Sequence, residues 1–250
     1  MRTWRSNLPA MVLLVVVAAC GDDGLSGSGT TASSGATTTT SNPVSTTIAV
    51  STSAAPSTTI APPAQQAIWP AADVVFTTPV EAAEDFVRRA IGVEPVLGEF
   101  QAGDSRSGEI EVVFRGESGD AGPIVRSRLL MRQLGSSNGW FVLAAVNDFV
   151  SIDSPDASAT VSAGRLVVSG VGRGFEATLN ITTFAAGSID RSFGTAIAMG
   201  GAYEKPEPFS ATVDLTGAAP GDVVTIVVRG ATGVETDPGE FAAMAVVIGR

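Results

Sequence analysis

The 250-residue sequence contains no histidine, one lysine, one cysteine and one tyrosine. Each shortage removes a kind of chemistry. Without histidine there is no Ser-His-Asp or Cys-His arrangement. A zinc site built from His or Cys ligands is excluded as well, because the single Cys20 has another use, argued below. A lysine nucleophile or base would have to be Lys205, which lies in the proline-bounded stretch "YEKPEPF". Only carboxylates, serines and Tyr203 remain, so the chain is read as a non-enzyme, with no catalytic residue, cofactor or metal assigned. The formal charge is −10. A chain this acidic lacks the clustered Lys and Arg that phosphate contacts need, which argues against nucleic acid as a partner. Nor does it gain electrostatic attraction to anionic lipid headgroups.

What the sequence does have begins at its first residues. Arg2 and Arg5 are followed by an apolar run from Leu8 to Ala19, interrupted only by Pro9, and then by Cys20. A basic start, a short apolar stretch and small residues at its end describe an export signal, too short to span a bilayer as a helix. The last four positions, Val17-Ala18-Ala19-Cys20, resemble the lipobox of bacterial lipoproteins. That resemblance implies cleavage before Cys20 and diacylglyceryl attachment to its thiol. Residues 1–19 are then the signal peptide, and the mature chain loses Arg2 and Arg5 but no acid, which takes its formal charge to −12. One acyl chain holds a protein marginally and two hold it firmly. The expected address is therefore the outer face of the bacterial cell membrane, with the membrane itself a partner through the lipid.

Residues 20–67 form the expected tether. Between Ser26 and Ile60, 20 of 35 residues are Ser or Thr, and none is charged or aromatic. Such a stretch cannot bury enough apolar surface to offset its ordering entropy, so disorder is expected. As a flexible coil of about 50 residues it spans roughly 40 Å. It serves as a spacer, with O-linked sugar as the alternative reading.

Order is expected from Ile68-Trp69-Pro70 onward. In "TTPVEAAEDFVRRAIG", Thr78 is placed to cap a helix, Pro79 suits its first turn, and Glu81 completes a capping box. Val80, Ala83, Val87, Ala90 and Ile91 share one face at helical spacing, with Phe86 beside them. Gly92 is placed to end the helix, with Arg88 and Arg89 in the last turn. Gly108–Gly116, Gly122–Gly135 and Trp140–Asp148 read as strands, and "GSSNG" marks a hairpin between the last two. On the middle strand Arg126, Arg128 and Arg132 fall on one face and Val125, Leu129 and Met131 on the other. The Arg row is a candidate partner surface; the alternative is a solvated face. Residues 68–150 are thus expected to be a small α+β domain, one helix on an antiparallel sheet.

Residues 151–250 carry no helical pattern. Seven short runs read as strands: Ala159–Ala163, Leu166–Gly170, Glu176–Phe184, Ser192–Met199, Phe209–Leu215, Val223–Val228 and Ala243–Ile248. In "FSATVDL", Phe209, Ala211, Val213 and Leu215 share a face. This many strands in about 100 residues predicts an all-β sandwich.

The residues that carry a second resemblance are Ser154-Pro155, Val161-Ser162, Val168-Ser169-Gly170, Phe175-Glu176, Phe209-Ser210 and the turn Thr236-Asp237-Pro238-Gly239. Over roughly residues 152–249 this pattern resembles the immunoglobulin-like domain of bacterial spore germination, Gmad2. The resemblance implies an immunoglobulin-like sandwich in an exported setting and supplies no catalytic residues. Phe175 and Glu176 are a candidate partner surface; the alternative is that Phe175 packs the sandwich and Glu176 caps a turn. "GVGRGFE" is not a phosphate loop, because strand residues follow it rather than a helix. Glu235, Asp237 and Glu240 are oxygen ligands by type but lack the dense spacing of a calcium loop. Three roles follow: a non-catalytic module binding an envelope protein or a peptidoglycan or other glycan, a passive spacer, or a two-carboxylate glycan hydrolase. The first is preferred.

Overall fold

The computed structural model describes residues 66–116 and 122–250. The signal peptide, Cys20 and the Ser/Thr-rich tether lie outside the described residues. The helix starts where its caps are. Thr78 is extended (φ −125°, ψ 152°), and its hydroxyl accepts from the Glu81 N–H while the Glu81 carboxylate accepts from the Thr78 N–H. Helix α1 (Pro79–Phe86) then widens into one π-helical turn (Val87–Ile91), which Gly92 ends at φ +82°. Ala82, Ala83, Phe86, Val87 and Ile91 are buried. Val80, expected on that face, is exposed; it belongs to a first turn in which Thr78 and Glu81 face water too. Thr78→Ala is expected to lower stability by about 1 kcal/mol, as loss of a cap does, measured by urea unfolding.

The strands are β1 (Gln101–Asp104), β2 (Ser107–Phe114), β3 (Ile124–Leu134), β4 (Gly139–Val146), β5 (Thr160–Val161), β6 (Arg165–Gly172), β7 (Thr178–Ala185), β8 (Ser188–Met199), β9 (Glu207–Asp214), β10 (Val223–Gly230) and β11 (Phe241–Ile248). Ten of them match the sequence reading within a few residues; β1 was not expected. The larger sheet runs β1-β2-β3-β4-β11-β10-β7-β8, with β5 on β11, and the smaller sheet is β6-β9. The result is an uneven, mostly antiparallel sandwich with one short helix. The sheet passes from the 68–150 segment to the 151–250 segment through β4 and β11.

The central strands β10 and β11 are buried on both faces, which explains why "VVTIVV" and "FAAMAVVI" read as near-continuous apolar runs. On one face Val227, Phe241, Ala243 and Ala245 meet α1, Trp69 and the inner residues of β2–β4. On the other, Val224, Ile226, Val228, Met244 and Val246 meet Val168, Phe209, Val213 and Leu215 of the smaller sheet. Phe209, Val213 and Leu215 do share the buried face, with Ala211 packed against it. Trp69 locks the helix layer: it sits edge-on to Phe86 and Phe184, and its Nε1–H donates to Asp85 (2.8 Å).

Several carboxylates are held below their ordinary range by donors. Thr78 and Thr77 do this to Glu81, the Arg106 N–H to Asp104, the Thr216 hydroxyl and N–H to Asp214, and the Ala219 N–H followed by Arg191 to Asp222. For these groups the unfolded chain binds protons at a higher pH than the fold does. Their contribution is complete above the ordinary values of 3.8 and 4.5 and is lost as pH falls through the lowered ones. With no histidine, no side chain with an ordinary titration lies between about pH 5 and 8. Thermal melts should therefore be level across about pH 5–8 and fall below about pH 4. A decline already under way at about pH 6 would contradict this assignment.

Candidate functional site

The distinctive chemistry lies at one end of the sandwich, where β3, the β6–β7 turn and the 231–240 segment meet. It begins with a bulge. Val112 faces Ser127 but Val113 faces Val125, so Arg126 is an extra residue on β3. A bulge re-aims the side chain at that point. Arg126 is turned inward and is 6% exposed, whereas Arg128 and Arg132 stay on the outer side. The expected Arg row is therefore broken: Arg126 is not on its solvated face.

Arg126 forks onto Asp237, Nε–H to Oδ1 at 2.9 Å and Nη2–H to Oδ2 at 2.5 Å, with Nη1 3.9 Å from Glu240. Arg173 forks onto Glu240 at 2.7 and 2.6 Å, and its Nη1–H donates to the Tyr203 carbonyl (2.9 Å). The Glu240 hydrogen bonds raise the Arg173 pKa against the opposing effect of burial. Burial also raises the Tyr203 pKa. The Arg173 guanidinium lies 3.4 Å from the Phe149 ring centroid, a cation–π contact. The two arginines and two acids thus form a closed set. Asp237 and Glu240, considered above as calcium ligands, have arginine partners instead. Among the described residues no group of three or more metal-binding side chains occurs.

This network frames a groove. Asn147 turns the chain out of β4: its Oδ1 accepts from the Phe149 and Val150 N–H groups, and its Nδ2 donates to the Arg126 carbonyl. Strand β4 pairs with β11 in the ladder at Ala145–Ala243 alone. Farther along β11, the ladder is taken over by the 158–161 segment, with Ser158 N–H bonded to Ala245 O and β5 running parallel. Between these partners a hollow of about 260 Å³ opens, lined mainly by Ala144, Val150, Ile152, Ala157, Ala242 and Met244. A second hollow of about 180 Å³ adjoins it, sharing Val146 and Asn147 and lined also by Val125, Ser127, Arg128, Asp148 and Phe149. Val125, Val146 and Phe149 are 38–42% exposed, so the mouth of the groove is apolar and open to water.

A wider cleft of about 500 Å³ lies beside the helix end, with Asn180, Thr182 and Arg229 on its floor and Val234 and Glu235 in its wall. Arg229 donates to the carbonyls of Ile91 and Asp237, and burial lowers its pKa. It ties the helix C-terminus to the pinned 231–240 segment.

The remaining expected residues fall elsewhere. Phe175 does not pack the sandwich: it is 50% exposed and its ring lies against Gly233. Glu176 and Ala177 are both left-handed (φ 52° and 58°), forming a tight turn in which the Thr178 N–H bonds to Phe175 O. The glycines of "GVGRGFE" serve close approach: a Cβ on Gly170 would sit 2.1 Å from Ser151 O, and one on Gly174 2.4 Å from Thr178 O. Arg128 pairs with Glu109 across to β2 (3.2 Å). No described hydrogen bond or ion pair joins Phe175 or Glu176 to Arg126, Arg128 or Arg132. Sequence reading missed Arg173, Asn147 and Phe149, whose partners are side chains or backbone groups contributed by other elements.

No curated protein and no solved structure matches the chain significantly. Residues 149–232, from the groove's Phe149 through β10 to the start of the pinned segment, match the family described as the immunoglobulin-like domain of bacterial spore germination, Gmad2.

Proposed function

We propose that this protein is a lipid-anchored module on the outer face of the bacterial cell membrane, whose immunoglobulin-like part binds an envelope component without catalysis. The observation that carries the binding role is the groove at the β3–β4 end, with apolar side chains exposed around its mouth on a frame fixed by buried ion pairs. Surfaces that keep large apolar groups together in water mark interaction sites. The non-catalytic reading is supported by the matched family and by the acids. Asp237 and Glu240 are held by arginines, and each hollow described above is lined by at most one carboxylate, whereas glycoside hydrolysis uses two. Among the described residues no helix is long and apolar enough to cross a membrane. Anchoring falls to Cys20, read from the sequence.

Two measurements test this. Cys20→Ala is expected to abolish labelling by palmitate and move the protein to the soluble fraction; retention on the membrane would overturn the anchor. A photo-crosslinking residue at Phe149 in intact cells is expected to capture one recurrent envelope component. Capture of nothing there would leave the domain a passive spacer.

A further inference from the structure

We infer that the groove between β4, β11 and the 147–157 segment binds a single unbranched acyl chain esterified to a polyol, with the chain in the apolar hollow and the ester head in the adjoining one that Arg128 and Asp148 line. This names the ligand class of the site proposed above and rests on that reading. The apolar hollow exists because the β4–β11 ladder is a single pair and the 158–161 segment joins only farther along. Alanines on both sides keep it open, and Val150, Ile152 and Met244 give it apolar walls. No charged side chain lines it. Its volume of about 260 Å³ holds roughly eight water-sized groups at ~30 Å³ each, and hence a row of about as many methylenes. An apolar space of that size suits a short flexible chain better than a sugar ring or a charged peptide side chain, whose polar groups would find no charged partner in it.

The adjoining hollow differs. Arg128 and Asp148 line it together without pairing to each other. Arg128 Nε lies 3.2 Å from the Glu109 carboxylate, and no described hydrogen bond or ion pair engages its terminal N–H groups, which can donate to an ester carbonyl. The Asp148 carboxylate accepts from a polyol hydroxyl. Asn147 and Ser127 are already engaged with the backbone and shape the passage rather than bind the head. A head that both accepts and donates fits this pair better than a bare carboxylate, which Asp148 would repel.

The test uses the full chain carrying Cys20→Ala, so that its own lipid does not compete. Monoacylglycerols with chains of about six to twelve carbons are titrated calorimetrically below their aggregation limits. Binding is expected to be saturable at one site. Affinity should rise about fourfold per added methylene until about eight are buried, and then level off. Ala157→Leu at the exposed lip, and separately Ala144→Leu, should each weaken binding at least about tenfold with the melting temperature little changed. Arg128→Gln should weaken the ester severalfold, and Asp148→Asn should narrow the preference for the ester over the free fatty acid of equal length. Absence of saturable binding, or equal binding by the wild-type and both leucine variants, would overturn the inference. Unchanged ester binding by Arg128→Gln, or an unchanged ester-to-acid preference in Asp148→Asn, would overturn the head assignment. Failure of these titrations alongside recurrent crosslinking at Phe149 would leave the binding role standing and remove only the acyl ligand.

Discussion

Asp237→Ala is expected to destabilise the fold by about 3–5 kcal/mol, because it leaves the Arg126 guanidinium buried with no carboxylate of its own. The nearest alternative, Glu240, is 3.9 Å away and already forked by Arg173. Solvent cannot take over, since Arg126 is 6% exposed. Set against the 5–15 kcal/mol that typically separates folded from unfolded domains, the loss is a large share. The companion experiment removes both charges. Arg126→Met with Asp237→Leu should recover most of the loss, as apolar replacements of whole buried pairs often do. Urea unfolding of the wild type, Arg126→Met, Asp237→Leu and the double variant gives the coupling energy. A single-variant cost below about 1 kcal/mol would show that water reaches the pair in solution.

Trp69→Ala is the second large effect, about 3–5 kcal/mol for removing a fully buried indole. Its ring touches Phe86 of the helix and Phe184 of β7, so one side chain joins the 68–150 segment to the 151–250 segment. Trp69→Phe keeps most of the packing and loses the bond to Asp85, costing about 1 kcal/mol beyond the missing volume. Because the larger sheet and its helix-side core draw on both segments, unfolding followed by tryptophan fluorescence and by far-ultraviolet dichroism should coincide in one transition. Two separated transitions would show that the segments fold independently.

The parts legible in the sequence are those written locally. Thr78, Pro79 and Glu81 announce the helix within four residues, and apolar alternation announces the strands. The "GSSNG" turn gives the β3–β4 hairpin, where Asn138 takes the left-handed conformation it tolerates well. What was hidden depends on long-range pairing. The orientation of Arg126 follows from a one-residue bulge set by β2, and its partner lies 111 residues away. The Arg row looked regular because alternation assumes an unbroken ladder. The groove was invisible for the same reason: Asn147-Asp148 ends "WFVLAAVND" with a turn signal, but the groove arises because β11 changes partners there, which no local residue announces. Phe175 looked like core because it is aromatic and borders a strand, yet the turn at Glu176–Ala177 carries it outward.

Strand β11 has one more consequence. It comes after all the other strands in sequence, yet it sits in the middle of the larger sheet, joining β4 on one side to β10 on the other. Until residues 241–248 have been made, β1–β4 and β7–β10 have no strand to unite them. Pairings over such separations form slowly. The larger sheet is therefore expected to become continuous only when this strand pairs, which places its completion late in folding.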